Sequence, residues 1–229
     1  MTHAVLTALR DRVIDDTQPL PGLLRTCLML GAETGSQSLR EWARYELNGY
    51  TADAELPPYR RIYAGMRISY VSGYNVVSGQ AYAWYNLPSK AREIVPEQLE
   101  LRGPLAELEQ MAAQDSASFG TGPLSVALQI INKDLPFGQQ VHQLAYSVPG
   151  ATLIGIVDRI RTTLVELVAD LMAANFAGDL DLGHRCTLPG CGGAGRLRSA
   201  AMDLLRAMVS LRVLALWHGA DSHCRLSRL

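Results

Sequence analysis

Lysine is almost missing from this chain: of 21 basic residues, only Lys90 and Lys133 are not arginine. That shortage excludes two common enzyme signatures. A phosphate-binding loop closes on Gly-Lys-Ser/Thr, and an acid–acid–lysine nuclease carries its lysine just behind the second acid; neither lysine stands in such a place. The chain also lacks a Gly-x-Ser-x-Gly elbow, and its glycine-rich run at residues 190–195 lacks the lysine that a phosphate loop uses. No run approaches the roughly 18 apolar residues of a membrane-spanning helix. Residues 1–16 lack the basic leader and apolar block of a secretory signal, so a soluble cytoplasmic protein with no membrane role is expected. Cysteine is sparse and, in that compartment, forms no disulfide framework. No repeat is visible, which excludes solenoids.

What is present is a chain of 229 residues, 48% hydrophobic and 19% charged, long enough for a real core and too apolar for disorder. A net charge of −1 argues against coating nucleic acid or anionic lipid by bulk charge. The balance is uneven. Residues 1–182 carry 14 basic against 20 acidic side chains, whereas residues 183–229 carry 7 arginines against Asp203 and Asp221. Neither Lys nor Glu occurs after Glu166, and residues 183–195 are rich in Gly and Cys. This divides the chain into a domain of residues 1–176 and a divergent basic tail of residues 177–229, with an amphipathic helix predicted over 196–217.

Within the domain the periods are readable. Leu6, Leu9 and Val13 predict a first helix, stopped before Pro19 and Pro21. Leu23, Leu24, Cys27, Leu28 and Leu30 predict a second, ending at Gly35. Ser36 or Ser38 caps a third through Leu39, Trp42, Ala43 and Leu47, closed by Asn48-Gly49. The period then drops to two: residues 61–71 alternate Ile62, Ala64, Met66, Ile68 and Tyr70. Ser72-Gly73 offers a turn, and residues 74–85 read as a second strand, so a two- or three-stranded antiparallel sheet is expected. Residues 96–99 restart helix, with Leu101, Leu105, Leu108 and Met111 on its apolar side, and residues 114–122 read as a turn-rich break. The run 124–131 fits strand or helix equally. From Leu153 through Ile156, Ile160, Leu164, Leu167 and Leu171 a stripe of about five turns predicts one long helix.

Candidate chemistry is thin. Cys186-x4-Cys191 and His218-x4-His223 in the tail supply four zinc-type ligands, set against free thiols and surface histidines. Glu107 and Glu109 stand two apart on a predicted helix, hence on different sides, and read as solvated charges. Cys27, among leucines, reads as a small core residue rather than a nucleophile. The cluster Tyr59, Tyr63, Tyr70, Tyr74, Tyr82, Trp84 and Tyr85, with Arg60, Arg61 and Arg67, fits a surface for single-stranded nucleic acid or for protein, and equally a half-buried sheet.

Residues 19–30 (PLPGLLRTCLML), 39–50 (LREWARYELNGY) and 55–60 (ELPPYR) resemble the AbiTii domain, named for the abortive-infection (AbiT) phage-defence system. Residues 103–109 and 153–164 resemble its later segments, so the likeness runs from residue 1 to about 176. It implies bacterial anti-phage immunity by halting the infected cell, and it brings no catalytic residues and no cofactor. The expectation is therefore an α+β domain of three N-terminal helices, a small antiparallel sheet and helices closing the core. Its role is expected to be a non-enzymatic module that binds a phage or host protein, with Tyr50, Asp53, Glu55, Tyr59 and Arg60 as an ordered recognition loop. The alternatives are a defence enzyme acting on nucleic acid and a DNA-binding regulator using the basic tail; self-association is open.

Overall fold

A computed structural model describes residues 2–183, and the side chains of residues 5–173. The predicted tail helix and the Cys186, Cys191, His218 and His223 set lie outside the described residues. The chain separates into two compact units. One takes Met1–Pro58, Arg102–Ala106 and the chain from Val157; the other takes Tyr59–Leu101 and Glu107–Ile156.

The first unit is helical. α1 (Thr2–Val13) buries Leu6, Leu9 and Val13 and packs on α2 (Leu20–Thr34). Pro19 precedes α2 and Pro21 sits in its first turn, where a missing N–H costs nothing. α2 buries Leu20, Leu23, Leu24, Cys27 and Leu30, then stops at Gly35, whose φ of 69° is left-handed. Ser36 caps α3 (Gln37–Asn48), its Oγ accepting from the Leu39 N–H at 3.5 Å. Leu39, Trp42 and Ala43 form the buried face of α3, as their spacing predicts. Leu47 is only half-buried, and Glu46 is fully buried in its place. The later part of α7 (Gly150–Gly183) completes the unit with Ile160, Leu164, Leu167, Val168 and Leu171. Its Arg161 donates to the Gln18 carbonyl at 2.8 Å, tying the helix to the α1–α2 turn.

The second unit is built on antiparallel strands. β2 (Gly65–Ser72), β3 (Asn75–Tyr82), β5 (Ser116–Phe119) and β6 (Gln139–Pro149) make a four-stranded sheet in the order β3-β2-β6-β5. β1 (Arg61–Tyr63) and β4 (Gln98–Glu100) pair separately. Met66 and Ile68 alternate inward as expected, opposite Tyr146 and Leu144 on β6. α6 (Gly122–Lys133) packs on β6. Its Asn132 side chain imitates a strand, donating to the Val141 carbonyl at 2.9 Å and accepting the Val141 N–H at 2.7 Å. The short α4 (Ser89–Arg92) lies against α6.

Several expectations are corrected. The strand predicted over 61–71 is two strands in different sheets, broken at Ala64. Trp84 and Tyr85 belong to a 3-10 turn (Trp84–Asn86), not to β3. The helix predicted from Pro96 is strand β4, and helix begins only at α5 (Leu105–Ala112). Leu99 and Leu101 are both buried two residues apart, a strand period that chance agreement with Leu105 and Leu108 disguises as helical. The break at 114–122 contains β5, and the main sheet has four strands rather than two or three. The ambiguous run 124–131 is helix, because Thr121 caps it and Pro123 opens its first turn.

Two glycines of α7 give opposite forecasts. A Cβ on Gly150 would sit 2.0 Å from the Gln114 carbonyl oxygen, whereas one on Gly155 meets nothing within 4 Å. Gly155→Ala should therefore raise stability by about 0.5–1 kcal/mol, and Gly150→Ala should lower the melting temperature, both read from thermal unfolding.

Candidate functional site

The recognition loop expected from the sequence begins where α3 ends. Gly49, at φ 89°, would place a Cβ 2.8 Å from the Arg102 carbonyl oxygen, so the residue must be glycine for the two backbones to meet. The meeting is fastened by the Tyr50 N–H, which donates to that carbonyl at 2.8 Å. Tyr50 itself is buried. Its ring stacks on Tyr45 with centroids 5.1 Å apart, and its hydroxyl donates to Glu46 Oε1 at 2.7 Å. From the far side Arg102 donates through Nη1 to the carbonyls of Thr51 and of Ala54, the latter at 3.0 Å. Residues 50–54 are thus held at both ends, and Asp53 and Glu55 stand exposed on a fixed support. A hydrogen bond from the Thr51 hydroxyl holds the Asp53 carboxyl below its ordinary range, with its own backbone N–H and the Arg102 charge adding to the effect.

The remaining candidates belong to the second unit. Arg60 is fully buried; its Nη1 donates to the Leu101 carbonyl at 3.0 Å, and its own carbonyl accepts the Leu101 N–H at 2.9 Å. Tyr59 is half-buried. Arg61 is exposed and pairs with Glu100 at 3.7 Å across β1 and β4. Arg67 is exposed and bridges three strands: from β2 it donates to Ser147 Oγ on β6 at 3.2 Å and to the Gly79 carbonyl on β3 at 2.9 Å.

The tyrosines do not gather on one platform. Tyr63 and Tyr74 are exposed but flank opposite ends of β2, whose eight residues span about 26 Å. Tyr82 donates to the Asn86 carbonyl at 2.8 Å and Trp84 Nε1 to the Val95 carbonyl at 2.9 Å, so both clasp the segment behind β3. The Arg92 guanidinium lies over the Trp84 ring at 6.0 Å. Cys27 is buried in α2, and desolvation pushes its thiol up to about 12, which keeps it protonated and unreactive. Among the described residues no group of three or more His, Cys, Asp and Glu side chains is placed to hold a metal ion. None of the described helices is long and apolar enough to cross a membrane.

Sequence reasoning passed over Glu46 and Arg102. Glu46 sits one position from the expected apolar stripe, and the only cue to Arg102 is its place before Gly103-Pro104, where the chain must turn.

The architecture, N-terminal helices and a long late helix with small antiparallel sheets, defines an α+β protein. Residues 4–184 match AbiTii, and the chain belongs to that family, whose name ties it to abortive-infection phage defence. No curated protein and no solved structure matches the chain.

Tyr50→Phe removes one donor from a buried carboxylate and should cost about 1–3 kcal/mol in chemical denaturation, with the fold retained. For Cys27 the folded thiol lies above its ordinary value of 9.0, so its contribution is complete below pH 9 and is lost as pH rises toward about 12. Cys27→Ala should flatten that alkaline loss of stability, and mass mapping should find the native Cys27 peptide unalkylated at neutral pH.

Proposed function

We propose that this protein acts in abortive-infection defence as a binding module that recognises a phage or host protein, rather than as an enzyme. The observation that carries the reading is how the family's signature residues are used. Tyr50 and Arg60 are buried and tied to neighbouring backbone or to Glu46, so they shape the surface without presenting a reactive group. Asp53 and Glu55 are what the braced loop exposes. An exposed acidic pair on a rigid support suits a basic or polar protein surface, since charge of this kind governs partner choice and association rate more than raw affinity. Arg61 pairs with Glu100 and Arg67 is hydrogen-bonded to the sheet, so neither of these two guanidinium groups is held out for a polyanion.

The test is a plating assay. Cells expressing the protein should yield fewer phage plaques than empty-vector cells, with culture collapse at high phage dose. Asp53→Lys with Glu55→Lys should abolish protection while leaving the melting curve and expression unchanged. Full protection by that double variant would remove the loop from the function. If Arg61→Glu with Arg67→Glu alone lost protection and its folding was intact, the nucleic-acid reading would take its place.

A further inference from the structure

β3 is one edge of the four-stranded sheet, and among the described residues no strand pairs with its outer side. Natural edges are usually guarded by charge or proline, because a bare row of N–H and C=O groups invites another strand. The eight residues NVVSGQAY contain neither. Their one guard is a bulge: between the pairs Ile68–Gln80 and Tyr70–Val77, Ser78 and Gly79 face the single residue Ser69. Gly79 has a left-handed φ of 62°, gives its N–H to Ser69 Oγ at 3.0 Å and receives Arg67 on its carbonyl. The irregularity is satisfied from within the sheet, and the segment before it stays regular.

The register shows which groups that segment offers. The two-residue turn Gly73-Tyr74 makes Ser72 and Asn75 the hydrogen-bonded pair, so Val71–Val76 is a non-hydrogen-bonded pair. The Gly73 N–H, which turns instead to the Gly138 carbonyl at 2.8 Å, agrees with this alternation. The N–H and C=O of Val76 therefore point away from β2, out of the sheet edge. Its side chain is 71% exposed, and the neighbouring Tyr74 is 107% exposed.

We propose that β3 pairs antiparallel with β3 of a second copy of this chain, about a two-fold axis at Val76. A two-fold contact sets the residue on the axis against its own equivalent, so a charge there would meet its like. Charge is what β3 lacks. Centred at Val76, the two residues exchange both backbone hydrogen bonds, and Asn75 faces Val77 of the second copy. The contact stays on the hairpin side of the bulge, leaves Gly79 untouched, and joins two four-stranded sheets into one. This assembly is independent of the defence reading above and stands or falls by itself.

The experiment is sedimentation velocity or light scattering of the full chain over a dilution series. The wild type should pass from dimer to monomer on dilution. Val76→Lys places two ammonium groups at the axis and should weaken the dimer by on the order of tenfold or more, its melting curve showing that it folds. Val76→Thr keeps the backbone pair and should still dimerise, as should Val126→Lys, whose side chain stands exposed on α6. A wild type that stays monomeric at the highest concentration overturns the proposal, and so does a Val76→Lys variant that associates as tightly as the wild type.

Discussion

The close approach of two backbone stretches at the end of α3 governs how the first unit is put together. Gly49 has no side chain, so the carbonyl of Arg102 can reach the chain just as it leaves the helix, where the Tyr50 N–H donates to it. Once those groups are joined, the guanidinium of Arg102 lies within reach of the Thr51 and Ala54 carbonyls and sets the loop. Tyr50 turns inward to Tyr45 and to Glu46, whose burial is bearable because its carboxylate is hydrogen-bonded. Fixing this loop costs conformational entropy, which its hydrogen bonds to Arg102, about 50 residues away in sequence, help to offset.

A comparable economy runs through the sheet. Arg67 looks from the sequence like a ligand-facing cation, yet in the fold its donors go to β3 and β6, where they stabilise a bulge and join strands. Asn132 does the same for a helix, lending its amide to β6 as though it were backbone. Arg60, Arg67, Arg102 and Asn132 are each spent on satisfying main-chain groups. The loop that exposes Asp53 and Glu55 owes its shape to Tyr50 and Arg102, whose polar groups are turned to the protein's own Glu46 and main-chain carbonyls.

The parts legible in the sequence are those where one period runs long enough to be heard. The helical trio, its proline and glycine punctuation and the long stripe of α7 all follow from local rules, and so does the inward alternation of Met66 and Ile68. β6 escaped because the register slip near His142 puts Val141 out of phase with Leu144, Tyr146 and Val148. β4 and β5 escaped because three or four residues cannot outvote neighbouring patterns; only pairing with β1 and β6 makes them strands.

The candidate site divides along the same line. Composition and motif alone set the family resemblance, the shortage of lysine chemistry, the buried character of Cys27 and the turn at Asn48-Gly49, since each depends on residue type or near neighbours. Tertiary structure alone decided that Tyr50 and Arg60 face inward, that Arg67 braces a bulge, and that Arg102 closes the loop bearing Asp53 and Glu55. Those outcomes rest on which distant carbonyl lies within hydrogen-bond reach, a property of the folded backbone that no local period encodes.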